Sequence, residues 1–102
     1  MGNAYDAAIG ERFCTVRNLL GITLTDAASE LGCTRQTLGN YETGKTPMRV
    51  SHARQLSKLY GASVTFLLGE TDSLSLHDER NGRQIDVEMT LPPMRVEKEG
   101  VE

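Results

Sequence analysis

A chain of 102 residues, 38% hydrophobic and 25% charged, is sized for one domain with a modest core. It holds no apolar run near the ~20 residues that a membrane span requires. Its two cysteines, Cys14 and Cys33, lie in different segments, with only His52 and His77 as nitrogen ligands, so neither a metal cage nor a disulfide framework is expected, and no cofactor.

The net charge of −3 divides unevenly along the chain. Between Arg35 and Lys58 five basic residues face the single acid Glu42, a local +4; from Thr71 onward eight acids face four bases, a local −4. A basic middle suited to a polyanion therefore sits beside an acidic tail. The opening MGNAYDAAIGERF has neither the basic start nor the apolar run of a secretory leader, and Asp6 stands where a myristoylation pattern needs Ser or Thr. Cytoplasmic residence is expected.

Ile9, Phe13, Val16 and Leu20 recur at helical spacing, which predicts a first helix over residues 6–20 stopped by Gly21. In TLTD, Thr23 can cap the next turn with Asp26 reaching back, close to a capping box, so a second helix is expected from Leu24 to Leu31, closed by Gly32. Thr34 is the expected cap of a third, short helix over TRQTLGNYE, with Leu38 and Tyr41 inward. Thr46 before Pro47 predicts the start of a fourth, whose stripe is Val50, Ala53, Leu56, Leu59 and Tyr60. Ser63 would cap a fifth, anchored by Val64, Leu67 and Leu68.

After Gly69 the period changes from helical to alternating. SLSLHDE and RQIDVEMTL flank Asn81-Gly82, the strongest short signal for a two-residue hairpin. Folding there sets Asp78 opposite Ile85, Leu76 opposite Val87 and Leu74 opposite Met89, with Leu74, Leu76, Ile85, Val87 and Met89 on one face. That face must pack on the helices or on a second copy, and a homodimer through it is expected. The rival reading is a segment without fixed structure. Pro92-Pro93 would end the second strand and leave an acidic tail.

The second helix, a tight glycine turn and a short polar third helix form a helix-turn-helix, whose second member lies in the DNA major groove. Such a helix needs small or polar outward residues, and Arg35, Gln36, Thr37, Gly39 and Asn40 supply them. Arg can present two donors to guanine, and Gln or Asn can pair with adenine.

IGERFCTVRNLLGITLTDAASELGCTRQTLGNYETGKTP together with ARQLSKLYGASVTFLLGE resembles the DNA-binding domain of the Cro/cI-type (XRE) regulators over residues 8–70. To the C-terminal β-hairpin (about 73–91) and acidic tail of 71–102, expected from the alternation to be the dimerisation element, the resemblance adds a mainly α, five-helix, lambda-repressor-like domain over 6–70. It also implies roles for residues. Arg35, Gln36, Thr37 and Asn40 would read bases; Thr25, Lys45, Thr46 and Arg49 would hold phosphates; Arg17 and Glu42 would form a structural ion pair. Two positions depart from the pattern: Leu24 replaces a polar residue that often contacts phosphate, and Ala27 replaces a usual Leu.

A sequence-specific regulator of double-stranded DNA, bacterial or phage-encoded and nucleoid-associated when bound, is therefore the expected function. It would be a repressor working as a homodimer on a palindromic operator. An antitoxin with a toxin-binding tail is the alternative, and it would add a protein partner. An enzyme is not expected, because no nucleophile, base and orienting acid come together.

Overall fold

The computed structural model describes residues 4–78 and 85–92. Five helices come first, then two strands: α1 (Ala4–Leu19), α2 (Leu24–Leu31), α3 (Arg35–Thr43), α4 (Val50–Tyr60), α5 (Val64–Leu67), β1 (Ser73–Asp78) and β2 (Ile85–Thr90). The fold is mainly α with a small antiparallel hairpin.

Local signals position most helix ends. Thr23, Thr34 and Ser63 each take extended backbone, and each side chain accepts an amide three residues on, from Asp26 at 3.0 Å, Thr37 at 3.0 Å and Phe66 at 3.1 Å. At the end of α3, Gly44 adopts φ 82°, a left-handed turn that costs glycine little. A side chain there would also run into the backbone of Ala7, 2.6 Å from its nitrogen.

α4 departs from the sequence reading. It begins at Val50, and Arg49 at its N-cap is extended with ψ 142°. Pro47 disfavours helical backbone at Thr46 before it, and half-buried Met48 packs on the core, so the segment after Gly44 runs as an extended loop. Val50 consequently sits in the first turn, 70% exposed, and not on the inward stripe, which is Ala53, Leu56 and Tyr60. In α5 the fully buried anchors are Phe66 and Leu67, while Val64 and Leu68 are half-buried.

The core joins Phe13, Val16 and Leu20 of α1 and its exit, Ala27, Ala28 and Leu31 of α2, Leu38 and Tyr41 of α3, Leu56 and Tyr60 of α4, and Phe66 and Leu67 of α5. Leu74 and Leu76 of β1 complete it, each 1% exposed. The strands pair Leu74 with Met89, Leu76 with Val87 and Asp78 with Ile85, the register that folding at Asn81-Gly82 requires. The turn itself, the side chains of Ile85 and Val87, and the tail lie outside the described residues. The dimer face expected from the alternation is thus divided. Leu74 and Leu76 are already covered by the chain's own helices, whereas Met89 on the same face stays 36% exposed.

Arg12 fastens the hairpin to the helices. This side chain is 4% exposed. Its Nη1 donates to the carbonyls of Phe66 and Thr71, both at 2.9 Å, and its Nη2 donates to Asp72 Oδ1 at 2.7 Å and the Pro92 carbonyl at 3.2 Å. The guanidinium also lies over the Phe66 ring, 4.5 Å from its centroid.

Candidate nucleic-acid interface

α2 and α3 are joined by Gly32-Cys33-Thr34, and the amides of Gly32 and Cys33 return to the Ala28 carbonyl at 2.9 and 3.0 Å. This tight reversal sets α3 against α2 with Leu38 fully buried between them and the core. The opposite face of α3 carries Arg35 and Gln36, both exposed, with Thr37, Gly39 and Asn40 half-buried. Thr37 is partly engaged, since its hydroxyl accepts from Thr34 Oγ1 at 2.9 Å.

The exit loop is bonded to α3 itself. The Asn40 carbonyl accepts from the amides of Lys45 at 2.9 Å and Thr46 at 3.3 Å, so exposed Lys45 and Thr46 move with the helix that carries Arg35 and Gln36. Arg49 is exposed at the N-cap of α4 and makes no capping bond with its side chain. Thr25 is exposed in the first turn of α2. Arg35, Lys45 and Arg49 thereby give one stretch of chain three exposed cations, with the acid Glu42 turned inward. Such a surface favours an anionic partner.

Glu42 is held by Arg17. Arg17 Nε and Nη2 donate to its two oxygens at 2.8 and 3.1 Å, and Nη1 donates to the Ile22 carbonyl at 2.8 Å. The pair is bidentate and almost buried, and the hydrogen bond to Glu42 raises the Arg17 pKa above its usual value. α1, the loop after it and the end of α3 are locked together by this one guanidinium.

The helix-turn-helix profile HTH_3 matches residues 15–67, just over half of the chain. The chain belongs to the XRE-type helix-turn-helix family. As a member, this helix-turn-helix protein is a DNA-binding protein of the transcription-regulator class. It is 27% identical over 101 residues to an HTH-type transcriptional regulator, y4wC, of Sinorhizobium fredii, which covers 98% of this chain and 71% of that protein. Among solved structures it is similar to the clp gene regulator ClgR from C. glutamicum, with TM-score 0.60 and 23% identity over 63% of this chain and 83% of the other. That likeness shows the fold.

Two supports of the candidate interface are not legible in the helix-turn-helix protein's sequence pattern. The Tyr41 hydroxyl lies 2.8 Å from His52 Nδ1, a bond from α3 to α4 across the base of the exit loop. Gly10 lets the α1 backbone touch the end of α3: a Cβ there would collide with the carbonyl oxygen of Tyr41 and stand 2.7 Å from that of Glu42. His52 is a helical turn before Leu56, so phase alone could have placed it against a neighbour. For Gly10 no local signal exists, because the reason lies thirty residues away. The thiols of Cys14 and Cys33 are free and half-buried, and burial is the main cause that raises both pKa values. Among the described residues no group of His, Cys, Asp or Glu could hold a metal ion, and no helix is long and apolar enough to cross a membrane.

Proposed function

We propose that this helix-turn-helix protein is a repressor that binds a palindromic operator in double-stranded DNA as a homodimer, in the cytoplasm of a bacterium or from a phage-borne gene. The observation that carries the reading is the outward face of α3, where Arg35, Gln36 and Asn40 stand free of the core beside a cationic loop bonded to the same helix. Arg35, Gln36 and Asn40, with Thr37 as neighbour, read base edges. Thr25, Lys45, Thr46 and Arg49 hold phosphates on either side.

Three or four reading side chains discriminate poorly alone, since a good bidentate pair is worth about 1 to 3 kcal/mol. Two protomers on half-sites about 34 Å apart supply the rest. Met89, exposed on the face of the hairpin that also carries buried Leu74 and Leu76, supports strand β2 as the dimer contact. The hairpin is tied down by Arg12, which favours a regulator over an antitoxin that would use it as a free toxin-binding arm.

The test is selection of duplexes from a random pool, followed by Arg35→Ala, Gln36→Ala and Asn40→Ala on the winning sequence. Each variant should weaken specific binding by about 1 to 3 kcal/mol and relax one base position. Unchanged affinity and preference in all three would remove α3 from the groove.

A further inference from the structure

We propose that Leu24 and Gly39 together form a subsite for the methyl group of one thymine in each operator half-site. The inference rests on α3 being the base-reading helix and adds to it an apolar contact at a defined place. Gly39 lies one turn beyond Arg35 and three residues beyond Gln36, so it continues the face those side chains define, and it is half-buried. Leu24, the first residue of α2, reaches the same place from the neighbouring helix. Its Cδ2 lies 3.7 Å from where a Cβ on Gly39 would stand. A bare backbone and the end of a leucine thus meet in the midst of arginine, glutamine and asparagine.

The chain's own packing does not require glycine there. A Cβ would make only an ordinary van der Waals contact with Leu24, and Gly39 is not among the glycines with positive φ. Alanine would therefore fit and would favour the helix. Gly10 and Gly44 differ, because backbone fills the space their side chains would need. A missing side chain that costs helix stability and relieves no internal clash points to something approaching from outside.

The chemistry of the notch says what that is. Base edges in the major groove present donors, acceptors and one apolar group, the thymine C5-methyl. A donor or acceptor pressed on Leu24 would lose its water and gain no partner. A methyl loses nothing and buries apolar surface.

The experiment uses the full-length protein and a duplex it selects from a random pool. Thymine is replaced by uracil one position at a time, which removes a methyl and leaves every hydrogen-bonding group in place. The wild-type protein should lose about threefold to fivefold in affinity at one thymine per half-site, the value of one buried carbon. Leu24→Ala should bind the thymine and uracil duplexes alike at that position while keeping its preferences elsewhere. Gly39→Ala, which the geometry accommodates without a clash, should stay folded and lose the same dependence, because its Cβ fills the notch. A wild-type protein indifferent to every uracil, or a dependence undiminished in either variant, overturns the subsite while leaving α3 as the reading helix. A pool that yields no preferred sequence overturns the reading helix itself.

Discussion

Arg12 Nη2 lies 2.7 Å from Asp72 Oδ1, and the two residues are 60 positions apart in the chain. The first helix and the strand that ends the core are thereby joined through a buried cation. Without Arg12 the carbonyls of Phe66 and Thr71 lose a donor while Asp72, 33% exposed, turns to water, so the cost is about 1 to 3 kcal/mol. Arg12→Ala should lower the urea midpoint accordingly. Hydrogen exchange should show the loss first in residues 73–78, whose strand depends on this anchor. Arg12→Lys should recover little, since one ammonium cannot reach four acceptors in a fixed plane.

Gly10→Ala should destabilise the fold by about 1 to 3 kcal/mol or more, because its Cβ meets the carbonyls of Tyr41 and Glu42 and backbone yields poorly. The displaced end of α3 carries the exit loop with it. Thermal unfolding and DNA affinity should therefore fall together, whereas Gly39→Ala should raise the melting temperature while altering binding.

Lys45→Ala should weaken binding to all sequences alike, as expected of a cation that holds phosphate on the loop after α3. The slope of log affinity against log salt should become shallower by about 1 for each phosphate that is no longer neutralised. A salt titration of variant and wild type on the selected duplex and on an unrelated one measures both effects.

Tyr60 is 1% exposed, and its hydroxyl meets no hydrogen-bond partner among the described residues. Burial, and then the nearby charge of Glu42, raise its pKa well above the ordinary 10.0. Below that ordinary value both folded and unfolded chains keep the proton. Above it the unfolded chain releases the proton and the folded one does not, so this group's contribution to stability is lost as pH rises beyond 10. Tyr60→Phe should equal or exceed wild type by about 1 kcal/mol at pH 7, since an unpaired buried hydroxyl is removed. It should also fall less steeply in alkaline denaturation.

The dimer proposal is checked on the full chain. Truncation before the hairpin would expose the core that Leu74 and Leu76 complete and leave Arg12 buried without Thr71 and Asp72. Met89→Glu, at an exposed place on β2, should shift the sedimenting species from dimer to monomer at micromolar concentration. Operator affinity should drop by orders of magnitude as the two half-sites cease to act together.

What could be read in advance followed the range of the interaction that determines it. Caps at Thr23, Thr34 and Ser63 act within three residues, and the pairing of Leu74 with Met89 follows from counting out from one turn. The late start of α4 was missed because helix propensity at Pro47 competes with burial of Met48, a tertiary effect. Arg12 was invisible for the same reason. It occupies the inward phase of α1, three residues after Ile9 and four before Val16, but its four acceptors are supplied from 54 to 80 residues later. Composition placed the cations of the candidate interface; only the fold shows that Lys45 and Thr46 are bonded to α3.

The reach of Arg12 makes the order of synthesis matter. The five helices that pack on one another all lie before residue 68 and are synthesised first. The last acceptor of Arg12, on Pro92, lies 80 residues downstream. At the usual pace of translation, that interval is about 4 to 16 seconds. Throughout it the helices emerge with the seat of Leu74 and Leu76 open and a charged side chain waiting at its rim. The nascent bundle is thus unfinished while α2 and α3 are already complete, and the hairpin closes it only once residue 92 has emerged.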